Sequence, residues 1–160
     1  MGKIWQWVVG GTLVAGAALT QIFLGKKDKK TFKNLTHCKV PKEWEGIRNS
    51  AWDRASSVLK NAGLNPITKC KSIVVEPGIK INPKTKQWGR MMMRNGKEFW
   101  YAGLSSPTEI KIVATPDNKP YVRSEPILTH EAGESILHQD KNWAHKSDDE
   151  RNNFLWSLGI

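Results

Sequence analysis

The chain has 160 residues, 39% of them hydrophobic and 25% charged, ordinary values for a folded chain and enough for one domain with an appendage. Its net charge of +10 is unevenly placed: seven lysines and one acid, Asp28, fall between Lys26 and Lys42, whereas nine acids face six bases from Glu109 to Ile160. That distribution argues against a nucleic-acid footprint, which would spread over a folded face, and for a local lysine cluster touching anionic lipid.

In chain order, the first feature is an uncharged run from Ile4 to Leu24. Its length suits a helix crossing a hydrocarbon core of about 30 Å at about 1.5 Å per residue. Gly11 with Ala15, and Thr12 with Gly16, give small-residue pairs that let helices pack closely in lipid, and Trp5 and Trp7 sit where an interfacial belt would be. The run continues past Ala15-Gly16-Ala17, the small-residue site that a cleaved signal peptide would use, so a retained anchor is the expectation. Lys26, Lys27, Lys29, Lys30 and Lys33 outweigh Lys3, which puts the C-terminal part in the cytoplasm by the positive-inside rule. Residues 1–25 thus read as a transmembrane anchor and residues 26–42 as a basic juxtamembrane linker. The lysine cluster has no arginine and no aromatic beyond Phe32, which disfavours nucleic acid as its partner.

Residues 43–160 read as the folded domain. Trp44, Ile47, Ala51, Ala55, Val58, Leu59 and Ala62 recur at threes and fours and predict an amphipathic helix ended by Gly63 and Asn65-Pro66. Ile73 to Val75 and then Ile79 and Ile81 predict a strand interrupted at Pro77-Gly78. Asn95-Gly96 between two apolar runs predicts a hairpin, because both residues tolerate positive φ. Met91, Met92 and Met93 read as packing residues. Residues 109–115 predict a further strand, and Tyr121 to Arg123 an extension or pairing segment. Ser124 and Pro126 suit the start of a helix running to about His138. Ser147 with Glu150 predicts a capping box opening a last helix that turns Phe154, Leu155 and Leu158 inward. Cys38 and Cys70 have no metal-motif spacing and permit either one disulfide or two free thiols. The fold class is therefore α+β: an N-terminal transmembrane helix, then a helix, a mostly antiparallel sheet of three to four strands, and two C-terminal helices.

The chemistry concentrates in Thr129-His130-Glu131-Ala132-Gly133-Glu134-Ser135-Ile136-Leu137-His138. On a helix, His130 and Glu134 share a face and can reach one ion, while Glu131 can take a proton from a metal-bound water. His138 lies about 12 Å along the axis from His130, too far to share that ion, and His145 reads as a surface histidine. This is the logic of His-Glu-x-x-His, with Glu134 in the place of the second histidine.

Together with Glu150-Arg151-Asn152-Asn153-Phe154-Leu155-Trp156-Ser157-Leu158 downstream, the pattern resembles the minimal gluzincin metallopeptidases, small zincin domains found near phage repressors and in related mobile elements. By that resemblance His130 is the first metal ligand, Glu131 the general base and Glu150 the downstream ligand, with Glu134 replacing the second imidazole. The implied cofactor is a divalent metal, zinc by resemblance. One imidazole with two carboxylates is a harder donor set than the zinc norm and moves preference toward manganese or iron. The resemblance implies a membrane-anchored, zincin-like metallopeptidase that hydrolyses peptide bonds in a protein near the membrane. The alternative is a catalytically inactive zincin-like structural or interaction protein without metal, tethered to a membrane, of the kind a phage or mobile element would carry.

Overall fold

The computed structural model describes residues 33–160 in full and the backbone of residues 7–8 and 11–12. The order is β1 (Trp7–Val8), β2 (Gly11–Thr12), a 3-10 turn (Lys42–Trp44), α1 (Glu45–Asn61), β3 (Ser72–Pro77), β4 (Lys80–Ile81), β5 (Trp88–Arg94), β6 (Lys97–Tyr101), β7 (Gly103–Ser105), β8 (Glu109–Ala114), α2 (Ser124–Leu137) and α3 (Asp148–Ser157). The fold is α+β, with three α-helices and two small sheets among the described residues.

Local chemistry accounts for most of these elements. α1 buries Ala51, Trp52, Ala55 and Leu59 along one stripe. It stops where Gly63 takes φ +85° and the Leu64 amide donates back to the Leu59 carbonyl at 2.9 Å, the left-handed exit that glycine allows. The β5–β6 hairpin turns at Asn95 and Gly96, both with positive φ (53° and 73°). This is the primed turn whose twist matches the strands. The predicted interruption after Pro77 is real: β3 ends there, and a Cβ on Gly78 would lie 2.5 Å from the Ala114 carbonyl oxygen. α2 opens where the Tyr121 amide donates to Ser124 Oγ at 2.9 Å. α3 opens with the predicted capping box, Ser147 Oγ accepting from the Glu150 amide and Glu150 accepting from the Ser147 amide. Residues 121–123, expected to extend or pair, form the turn before α2 instead.

The strands assemble as two four-stranded sheets, in the orders β1-β6-β5-β4 and β2-β7-β8-β3. The expected single, mostly antiparallel sheet is corrected on both counts. β4–β5, β5–β6 and β7–β8 are antiparallel, whereas β3–β8, β1–β6 and β2–β7 are parallel. The chain passes from the first sheet to the second at Ala102, between β6 and β7. The helices α1 and α2 pack on each other, and α2 lies on β7 and β8. Between them sits the main core, which includes Leu59, Ile110, Ile112, Ile127, Leu128 and Ile136, each at most 1% exposed. Each such side chain contributes about 1.5–3 kcal/mol of transfer free energy. A smaller cluster of Tyr101, Leu104 and Val113, flanked by Trp88, Met92 and Phe99, lies beside the hairpin.

The end of the expected linker is part of this body. Leu35 and Cys38 are fully buried in the main core, and Arg48 Nη1 donates to the Cys38 carbonyl at 2.7 Å. Cys38 and Cys70 are free, buried thiols. Among the described residues, no helix is long and apolar enough to cross a membrane. The transmembrane expectation for residues 4–24 lies outside the described residues, apart from β1 and β2.

Candidate functional site

α2 carries the site, and it is enclosed nearly all round. Twelve of its 14 residues are buried, including His130, Glu131 and Glu134. Its apolar set, Ile127, Leu128, Ala132, Ile136 and Leu137, is buried in the core. β7 passes against the charged residues of the helix. A Cβ on Gly103 would lie 2.6 Å from Glu131 Oε1, so glycine is what lets the strand come this close to that carboxylate. Two residues on, Ser105 Oγ donates to Glu134 Oε2 at 2.8 Å.

α3 supplies the other half. His130 Nε2–H donates to Asn152 Oδ1 at 2.8 Å, and the ring stacks on Trp156 with centroids 5.9 Å apart. Arg151 Nε lies 3.6 Å from Glu134 Oε1. The same guanidinium donates to Asp148 Oδ1 at 2.5 Å and to the Lys146 carbonyl. His138 Nε2 lies 3.9 Å from Glu134 Oε1 with its side chain 6% exposed. It is thus a buried member of the cluster at the end of α2.

The protonation states follow from enclosure. Burial pushes the Glu134 carboxyl up to about 7, against the downward pull of the Ser105 hydroxyl and of Arg151. Burial, reinforced by the nearby Arg151 charge, pushes His138 down to about 4. His130 is also lowered by burial, although its bonds to Asn152 and to the Ile160 backbone favour the charged ring. The outcome at neutral pH is two neutral imidazoles and one acid near its midpoint, held beside a permanent guanidinium charge.

Glu150 is elsewhere. Its side chain is 52% exposed, its carboxylate accepts from the Ser147 amide and from Lys146 Nζ, and those donors hold it down at about 2. The residues of α3 that meet Glu134 and His130 do not include Glu150. These are Arg151 and Asn152, the next two in the chain. The predicted capping box carries the reason: a glutamate folded back on its own helix end cannot also reach across to a neighbour, and the following residues turn inward.

A divalent metal does not fit these side chains as they are placed. The His130 nitrogen facing α3 spends its proton on Asn152 and has no lone pair to offer there. Glu134 already faces a cation, and Glu150 points to solvent. What the arrangement does chemically is compensate a buried acid with an internal arginine. Comparison with known proteins gives no match to this chain, whether among family models, curated proteins or solved structures.

Proposed function

We propose that this chain is a catalytically inactive, zincin-like structural or interaction protein held at a membrane. Residues 4–24 attach it to the bilayer, the Lys26 to Lys42 cluster meets anionic head groups, and the α+β domain lies on the cytoplasmic side. The observation that carries the inactive reading is Arg151 at 3.6 Å from Glu134, a side-chain cation where a metal-dependent enzyme of this pattern would need an exchangeable one. The metallopeptidase reading requires more. Arg151 would have to leave Glu134, and α3 would have to turn by about 100°, one residue of helix, to bring Glu150 inward. Four residues of the apolar run are engaged as β1 and β2. A run that keeps these pairings and lies at the membrane surface holds the domain there as well as one that inserts.

The test is metal analysis of the purified full chain beside a peptidase assay, with His130→Ala and Glu131→Gln as variants. The expected result is no stoichiometric metal, no hydrolysis above the Glu131→Gln control and no change of melting temperature with chelator. One metal per chain that disappears in His130→Ala, with hydrolysis lost in Glu131→Gln, would overturn this reading in favour of the peptidase.

A further inference from the structure

Two thiols from distant parts of the chain meet between the segment that leads into α1 and the segment that leads into β3. Cys38 and Cys70 are 32 residues apart in sequence, and both are fully buried in the main core. Cys38 Sγ lies 3.7 Å from the Cys70 carbonyl oxygen. Cys70 Sγ lies 3.2 Å from the carbonyl oxygen of Ser72, the first residue of β3. The thiols also engage each other directly, Cys70 donating its S–H to the Cys38 sulfur.

A cysteine that only fills a core sits among apolar groups, and its pKa rises. The surroundings of Cys38 are different. His37 Nε2 is 2.6 Å from the Cys70 carbonyl oxygen, which can only accept, so this nitrogen carries the ring proton. The same nitrogen is 3.4 Å from Cys38 Sγ and turns a donor toward that sulfur. Arg48 Nη1 donates to the Cys38 carbonyl at 2.7 Å, which fixes the guanidinium nearby. The hydrogen bond from Cys70 lowers the Cys38 thiol below its ordinary value, and the Arg48 charge adds to this against the opposing effect of burial. The bond to Cys38 and burial push Cys70 up. One sulfur is thus favoured as thiolate while its neighbour keeps its proton, the division of labour between an attacking and a resolving cysteine.

We propose that Cys38 and Cys70 are a reversible redox pair, oxidised by hydrogen peroxide to an intramolecular disulfide that clamps the segment before α1 to the segment before β3. In the first step the Cys38 thiolate attacks one peroxide oxygen. The O–O bond breaks, the leaving hydroxide takes a proton and departs as water, and Cys38 becomes a sulfenic acid. In the second step the Cys70 sulfur attacks the Cys38 sulfur. The S–S bond forms, the S–O bond breaks, and the hydroxide leaves as water with the Cys70 proton. Two thiols and one peroxide give one disulfide and two waters, and the two electrons lost by sulfur reduce the peroxide oxygens. A thiol reductant reverses the change.

The pair is shielded from bulky reagents, but peroxide is scarcely larger than water. Residues 34–41, which carry Cys38, form no helix or strand, and His37 and Lys39 on either side of it are exposed. A small local opening of this segment admits the oxidant. The resulting ring encloses the whole of α1, Glu45–Asn61. This goes beyond the attachment proposed above and does not depend on it.

The full chain is treated with hydrogen peroxide, quenched with catalase, unfolded in urea and labelled with a maleimide polymer that counts free thiols, beside an intact-mass measurement. The expected result is loss of both free thiols and of two hydrogens per chain, with no covalent dimer and full reversal by dithiothreitol. The oxidised form should melt on the order of 10 °C higher, because a long loop of the unfolded chain is closed. Cys70→Ser should stop at the sulfenic acid, trapped by dimedone at position 38, and Cys38→Ser should leave Cys70 a thiol. Peroxide that leaves both thiols of the parent chain free, or that links chains to each other, overturns the proposal. So does a parent chain that gains oxygen atoms without losing its two hydrogens. Dimedone trapping at Cys70 in Cys38→Ser, with none at Cys38 in Cys70→Ser, overturns Cys38 as the attacking thiol.

Discussion

Replacing Arg151 by methionine keeps the aliphatic stem and deletes the charge that faces Glu134. At an effective dielectric constant of about 20, unit charges 3.6 Å apart interact by about 4–5 kcal/mol. Removing one partner of a buried ion pair costs about 3–5 kcal/mol by experience with other proteins. Both figures are a large part of the ~5–15 kcal/mol by which a domain is stable. The loss has a definite pH dependence. The folded pKa of Glu134, about 7, lies above the ordinary 4.5, so the stability this acid contributes is complete below pH 4.5 and falls as pH rises through about 7. Arg151 limits that fall by favouring the ionised form. Without it the acid stays protonated to higher pH, and the deficit of the variant grows with pH. Urea unfolding followed by tryptophan fluorescence should therefore give a deficit about 1–1.5 kcal/mol larger near pH 8 than near pH 5, the most that ionisation of an acid with a folded pKa of about 7 allows over that interval, on top of a pH-independent loss of the contact with Asp148. The double variant Glu134→Gln with Arg151→Met should recover much of the loss at pH 8. A deficit below about 1 kcal/mol at both pH values, or one that does not change between them, would refute a charge-compensated buried acid.

Gly103→Ala forces a Cβ to 2.6 Å from Glu131 Oε1 and should cost about 1–3 kcal/mol in calorimetric unfolding, whereas Gly46→Ala, with nothing within 4 Å, should not destabilise. The His138 pKa is depressed to about 4 from 6.5, so its contribution is present above pH 6.5 and lost as pH falls through about 4; His138→Gln should move the acid-unfolding midpoint to lower pH. Ser147→Ala removes the acceptor of the Glu150 amide and should lower stability by about 0.5–2 kcal/mol without altering the His130 ring resonances. A thiol reagent should find neither cysteine in the native chain and both after denaturation, because Cys38 and Cys70 are each fully buried and free.

The parts of this fold that were legible in the sequence are those whose causes are local. α1 announced itself by its threes and fours, the hairpin by Asn95-Gly96, and α3 by Ser147 and Glu150, because propensity, turn chemistry and capping act within a few residues. The parallel pairing of β3 with β8 joins segments more than 30 residues apart, and nothing in either strand's own pattern specifies its partner. Leu35 and Cys38 were hidden among lysines, where composition reads as linker although these two side chains are core. At the site, the four-residue spacing puts His130 and Glu134 on one stripe of α2, whereas the α3 residues beside them are Arg151 and Asn152 and Glu150 is turned to solvent. Periodicity ranks faces by hydrophobicity, and Arg151 is an inward-facing residue that hydrophobicity assigns to solvent.

The crossing at Ala102 ties two regions that look separate. Trp100, on the outer face of the hairpin, and Ser105, bonded to Glu134, belong to one uninterrupted length of backbone only five residues apart. Tilting the ribbon against whatever it rests on levers Gly103 and Ser105 directly, and with them the carboxylates of Glu131 and Glu134. A displacement at the periphery is thereby passed to the acids at the centre together with Ala102 and Leu104, which are packed on the same stretch.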